Sequence, residues 1–206
     1  MPVLPQPSRD VLDEVVDNRR YLHRHPEVSF AEHETSRFIE DRLRSLALSV
    51  EPCLTPTGAL AFLDTGRAGR TVMLRADIDA LPILEDSGVD FASDVDGRML
   101  DLVHGTVPLM NDPNVTRTVL SVGAELIGER ASEIGNPLTV SDDMAEFLTC
   151  IPGCNFMVGA RPPDAETAPA HHSPSFRIDE GCFATGVRMM VGSAATLAAQ
   201  APADAP

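Results

Sequence analysis

Two carboxylates two residues apart, Asp77 and Asp79, directly follow an apolar run in Arg75-Ala76-Asp77-Ile78-Asp79-Ala80-Leu81-Pro82. At a strand end such a pair can serve one cation, one group as ligand and the other through a hydrogen bond behind it. The same spacing also suits a capped, solvated turn. His171-His172-Ser173-Pro174 lies in a long Pro/Ala-rich loop. A neutral imidazole is a common metal ligand, and of two adjacent histidines only one would reach an ion. A surface pair without function is the other reading. His23-Arg24-His25 has a His-x-His form, but side chains two apart at a helix end point to different faces. Imidazolium there would instead complement the C-terminal dipole. Cys150 and Cys154 bracket Ile151-Pro152-Gly153. They form one pair where a closed zinc site takes four ligands, so buried thiols are the simpler reading. Ser141-Asp142-Asp143 reads as an N-cap with an acidic first turn. No Gly-rich phosphate loop, serine nucleophile elbow or His-Glu-x-x-His helix occurs in the sequence.

These residues need elements to hold them. Ser8 can cap a first helix with Val11, Leu12, Val15, Val16 and Leu22 on its apolar face, ended by Pro26. A second helix is expected over about 31–46, with Phe38, Ile39, Leu43 and Leu46 at helical spacing. Ala59 to Leu63 and Thr71 to Leu74 read as short strands joined by a turn through Gly66 and Gly69, and their continuous apolar character suits burial on both faces. Residues 77–98 are acidic and loop-like, and a short strand is expected over 100–103. Asp112-Pro113 starts a helix that turns Val115, Val119, Val122 and Leu126 to the core and stops at Gly128. Further strands are expected over 138–140 and 156–158, with a short helix over 141–148. A closing helix over 179–198 would carry Phe183, Val187, Met190, Val191 and Ala194 on one side, and the Ala/Pro tail beyond it is expected to be disordered. Strands alternating with helices indicate an α/β fold, a mostly parallel sheet flanked by helices, with chemistry at the carboxyl ends of strands.

The 206 residues suffice for one sizeable core, although aromatics make up only 4% and Trp is absent. The net charge of −15 arises from 31 acidic and 16 basic residues, and every basic residue is Arg. That sign argues against binding nucleic acid or an anionic membrane surface. No apolar run nears the ~20 residues that span a bilayer, and no signal peptide is visible, so a cytoplasmic protein is expected.

Several segments in order resemble one family, the metal-dependent amidohydrolases of the aminoacylase/carboxypeptidase type, which cleave N-acyl amino acids, hippurate and auxin conjugates. Arg19-Arg20-Tyr21-Leu22-His23-Arg24-His25-Pro26-Glu27, with Phe30, Glu34 and Thr35, is similar to the family's opening segment. Leu74 to Ile83 resembles its Leu-Arg-Ala-Asp-Met-Asp-Ala-Leu-Pro strand end, and Ser141-Asp142-Asp143-Met144-Ala145 its Ser-Glu-Asp-Phe-Ala helix start. Ile151-Pro152-Gly153 with Phe156, and His172-Ser173-Pro174 with Phe176, Asp179, Glu180 and Gly186, resemble its closing motifs.

The resemblance implies a metallopeptidase-like catalytic domain with zinc or manganese as cofactor and a small N-acyl amino acid or peptide as substrate. Carried over by position, His172 matches a metal ligand, Asp77 fills a ligand position of related peptidases, and Asp79 matches the aspartate that orients the site. His23, His25 and Cys154 match no ligand. The departure follows Asp96-Gly97-Arg98-Met99, where the family continues into a His-Ala-Cys-Gly-His segment and this chain has Leu100-Asp101-Leu102-Val103-His104-Gly105. An internal deletion near 99–100 is therefore expected. It would remove most metal ligands, the general-base Glu and nearly all of the lid and dimerisation domain, leaving 100–106 as a remnant strand within one truncated domain over 1–198. A catalytic zinc keeps three protein ligands and a water position. The expectation is thus a catalytically impaired or silent homologue, in a binding or regulatory role or as a mere remnant, that self-associates through exposed sheet edge. The alternative is an active hydrolase with a remodelled metal site.

Overall fold

Ser8 opens the first helix, α1 (Arg9–Arg24), by accepting a hydrogen bond from the Val11 N–H at 3.3 Å, and His25 closes it one residue before Pro26. The computed structural model describes residues 6–95, 109–135, 142–165 and 172–200. The expected strands at 100–103 and 138–140, the deletion junction, the Ser141 cap and the tail from 201 lie outside the described residues.

The second helix, α2 (His33–Ser45), has no side-chain cap of its own at Glu32. Glu27 supplies one from the preceding loop, accepting from the Glu34 N–H at 3.2 Å and the Thr35 N–H at 2.7 Å. Two of the orphan donors of that helix start are satisfied in this way. Burial works against the Glu27 carboxylate, but these two N–H groups hold it below its ordinary value. The motif residues Glu27, Glu34 and Thr35 thus have a structural account that needs no chemistry.

Two short strands follow, β1 (Ser49–Glu51) and β2 (Leu60–Phe62), paired antiparallel with Val50 opposite Ala61. Among the described residues the expected mostly parallel sheet is not borne out. Thr71 to Leu74 forms no strand, and neither does Phe156 to Val158. The parallel pairing present among the described residues is a single bridge between Val28 and Ala80. A buried parallel sheet needs helices over both faces. Leu60 and Phe62 are instead 43% and 53% exposed, so apolar character alone did not buy a covered strand here.

The core gathers around α3 (Pro113–Ile127) and α5 (Cys182–Ala198). Asp112 caps α3, accepting from the Asn114 and Val115 N–H groups, with Pro113 in its first turn. Gly128, at φ 63°, ends it in a conformation that favours glycine and leads into a 3-10 turn, Gly128–Arg130. Val119, Val122 and Met189 form the buried cluster, with Val115, Leu126, Cys154 and Phe156 packed against it. The expected face of α5 is corrected: Met189, Gly192 and Ser193 point inward, whereas Val191 is 51% exposed. Both sides of that helix are apolar or small, so its period leaves the choice to α3. There, Gly123 leaves the space in which the Met189 thioether lies; a Cβ on Gly123 would sit 3.5 Å from Met189 Cε and 2.7 Å from Ala131 Cβ. A shorter helix, α4 (Met144–Cys150), begins beyond Asp143 and buries Ala145. No helix among the described residues is long and apolar enough to cross a membrane.

Candidate functional site

The loop over 75–80 is fastened at both ends of its motif. Its Ala80 N–H donates to the Glu27 carbonyl at 2.7 Å beside the Val28–Ala80 bridge, while Ser29 Oγ donates to Asp79 Oδ2. Arg75, largely shielded from solvent, contacts three carboxylates. Its Nη2 pairs with Asp77 Oδ1 and, at 2.6 Å, with Asp143 Oδ1; its Nη1 lies 3.4 Å from Asp142 Oδ1. Partial burial raises Asp77 above the ordinary aspartate value, and the negative charges of Asp143, Asp142 and Asp79 add to this against the guanidinium.

Asp142 extends the network. It accepts from the Met144 N–H at 2.8 Å at the start of α4 and from Asn155 Nδ2 at 3.0 Å. Asn155 in turn exchanges two hydrogen bonds with Asn111, at 2.8 and 2.9 Å, next to the α3 cap. One polar chain therefore links the 75–79 loop, α4, the 153–158 segment and the α3 start. The two ends of its first link are 67 and 68 residues apart.

His172 sits elsewhere. It is exposed, with a left-handed φ of 60°, a conformation for which His is among the more tolerant residues. Its loop is held by the Asp86 N–H, which donates to the Pro174 carbonyl at 2.8 Å, and by a turn between Ser173 and Phe176. Among the described residues, no group of three or more His, Cys, Asp or Glu is placed to hold a metal ion. Asp77, Asp79 and His172 accordingly do not form the expected centre, and the described residues offer no ligand set that fits a catalytic zinc or manganese. Cys154 packs against the core, where burial pushes its thiol up, while Cys150 is exposed; all four cysteines are free.

A cleft of about 340 Å³ opens instead between the end of α1 and residues 85–91, 162–164 and 176–180. Arg19, His23, Glu85, Phe91 and Phe176 are among its lining, and Asp77, Asp79 and His172 are not. His23 Nε2 stands 2.8 Å from Glu85 Oε1, with the His23 ring edge-on to Phe91. Ser87 Oγ donates to the same Glu85 oxygen, and the Ser93 N–H donates to the other at 2.8 Å. Burial would raise Glu85, yet these donors together hold it low. His23 occupies the last turn of α1 as expected, and His25 turns to Tyr21 instead, so the two point apart. The Glu85 partner is 62 residues away in the chain, and no local pattern announces it.

The relatives of this chain carry hydrolase and peptidase names. A hydrolase of Staphylococcus haemolyticus is 47% identical over 88 residues, which are 43% of this chain and 22% of that protein. Thermostable carboxypeptidase 2 of Saccharolobus solfataricus is 38% identical over 99 residues, 48% of this chain and 25% of that protein. A dinuclear metal-binding peptidase of Bacillus subtilis of known structure is 30% identical, with 60% of this chain and 33% of that one covered at a TM-score of 0.42. No protein-family model matches. The chain spans about a quarter of the length of the curated relatives it matches. Over just under half of its length, this chain is thus similar in sequence to proteins named hydrolase and carboxypeptidase.

Proposed function

We propose that this chain carries part of an amidohydrolase/peptidase scaffold without completing a reaction centre, and that it is catalytically silent by itself. The observation that supports this reading is the engagement of its candidate groups: Asp77 pairs with Arg75, Asp79 accepts from Ser29, and His172 lies on a separate loop. Amide hydrolysis of the expected kind needs about three protein ligands around an activated water. Loss of a positioned general base alone would cost on the order of 10²–10⁴ in rate. The chemistry left to the chain is binding, with an N-acyl amino acid or small peptide as the ligand class that the motif resemblance implies. The reading takes the chain to be cytoplasmic, in keeping with its four free cysteines.

The test is metal content of the purified chain by elemental mass spectrometry after equilibration with zinc and manganese and desalting, together with hydrolysis of a panel of N-acyl amino acids. The expected result is no stoichiometric metal and no turnover above the blank. Metal that His172→Ala removes, accompanied by turnover, would replace this reading with an active hydrolase built on a remodelled site.

A further inference from the structure

Asp77, Asp142 and Asp143 come from two segments more than sixty residues apart, and like charges brought together repel unless a cation lies among them. That cation is present in the chain. The Arg75 guanidinium pairs with Asp77 and Asp143 through Nη2 and faces Asp142 through Nη1. Its side chain is more shielded from water than any of the three carboxylates. A planar fork with five donors can serve several carboxylates at once, which a point charge does less well.

We propose that Arg75 is the resident cation of this carboxylate cluster, joining the 75–79 loop to the start of α4, so that Asp77 is committed to an internal ion pair and takes up no divalent metal. The proposal goes beyond the silent-scaffold reading by naming what stands where a metal was expected, and it can fail separately.

The experiment uses the full chain and follows melting temperature by circular dichroism, with EDTA or with millimolar Mn²⁺, alongside metal content. The parent should melt at the same temperature in both and retain no stoichiometric metal. Arg75→Gln keeps the carboxylates and removes their cation. It should melt several degrees lower, and Mn²⁺ should recover part of the loss that it does not produce in the parent. Should Arg75→Gln fail to fold, Arg75→Lys decides: a retained charge should give a folded chain that ignores Mn²⁺, and an unfolded Arg75→Lys would overturn a role based on charge. Arg75→Gln melting like the parent, or lower but deaf to Mn²⁺, also overturns the proposal. So does stoichiometric metal in the parent that Asp77→Asn abolishes. That last outcome without turnover would leave the silent-scaffold reading standing, whereas turnover that survives Asp77→Asn would sink that reading and leave this one.

Discussion

Arg20 grips Glu180 in a two-pronged ion pair, Nε to Oε1 at 3.1 Å and Nη2 to Oε2 at 2.7 Å, across 160 residues of sequence. Arg19 reaches the same Oε1 at 3.0 Å, and both guanidinium groups lie over the Phe91 ring. The Arg-Arg pair of α1 is thereby tied to the loop that enters α5. Glu180→Gln should destabilise the chain by about 1–2 kcal/mol, since charge-assisted, partly shielded bonds are lost while the shape is kept. Urea unfolding of the two proteins measures it, and equal midpoints would show that solvent already screens the pair.

Acid should weaken the same contact. The Arg20 bond holds Glu180 below the ordinary glutamate value of 4.5, and Glu85 is lowered by Ser87, His23 and Ser93 against its burial. A group lowered on folding contributes stability above its unfolded value, and that contribution is lost as pH falls through the folded one. Asp77 is shifted the opposite way, so its charged form is disfavoured by the fold and acidification relieves it. The two glutamates outnumber it. Melting temperature is expected to fall below about pH 4.5, with a shallower acid limb in Glu180→Gln. An identical acid limb in that variant would remove Glu180 from the account.

Glu85 and His23 should not be equivalent. Removing Glu85 strands three donors, Ser87 Oγ, the Ser93 N–H and the His23 ring, whereas removing His23 leaves Glu85 two of its partners. Glu85→Ala is expected to cost roughly 2–3 kcal/mol and His23→Ala about half that, because unmet donors shielded from water cost more than a lost bond is worth. The comparison of their urea midpoints tests the order, and the reverse order would contradict it.

The α3–α5 contact makes a packing prediction. Val122 is fully buried, and Val122→Ala should cost about 1–3 kcal/mol through lost apolar contact and the cavity left. Gly123→Ala should cost a similar 1–3 kcal/mol for the opposite reason, since its Cβ would be driven against Ala131 at 2.7 Å. A melting temperature unchanged in both would mean that the two helices separate without penalty.

Self-association is expected as well. Phe30 is 86% exposed, and Leu54 and Leu63 are open as well. Apolar surface on this scale draws partners together despite the charge of −15, which salt would screen. Sedimentation velocity at low and high salt should show species above the monomer, more of them at high salt. A single monomeric species under both conditions, with a cooperative melt, would count against it.

How far the sequence could be read is clearest at the helix ends. Ser8, Asp112, Pro113 and Gly128 do in the structure what their types imply, because a cap acts over three or four residues and needs no tertiary partner. Val115, Val119, Val122 and Leu126 face the core for a similar reason, as α3 has one apolar stripe and little choice of face. Thr71 to Leu74 was misread because a strand exists only when another strand pairs with it, and apolar content says nothing about which one. Asp77, Asp79 and His172 stand out by residue type, spacing and family resemblance, none of which names a spatial partner; Asp77 meets Arg75 and Asp79 meets Ser29.

The division follows the range of the forces involved. Local backbone sterics, capping hydrogen bonds and helical period act within a few residues, so the sequence by itself determined α1, α3 and their ends. Ion pairing and close packing act across space between groups that are distant in the chain. Only the tertiary structure decided that Arg75 would meet Asp143, that His23 would meet Glu85, and that Met189 rather than Val191 would fill the space beside Gly123.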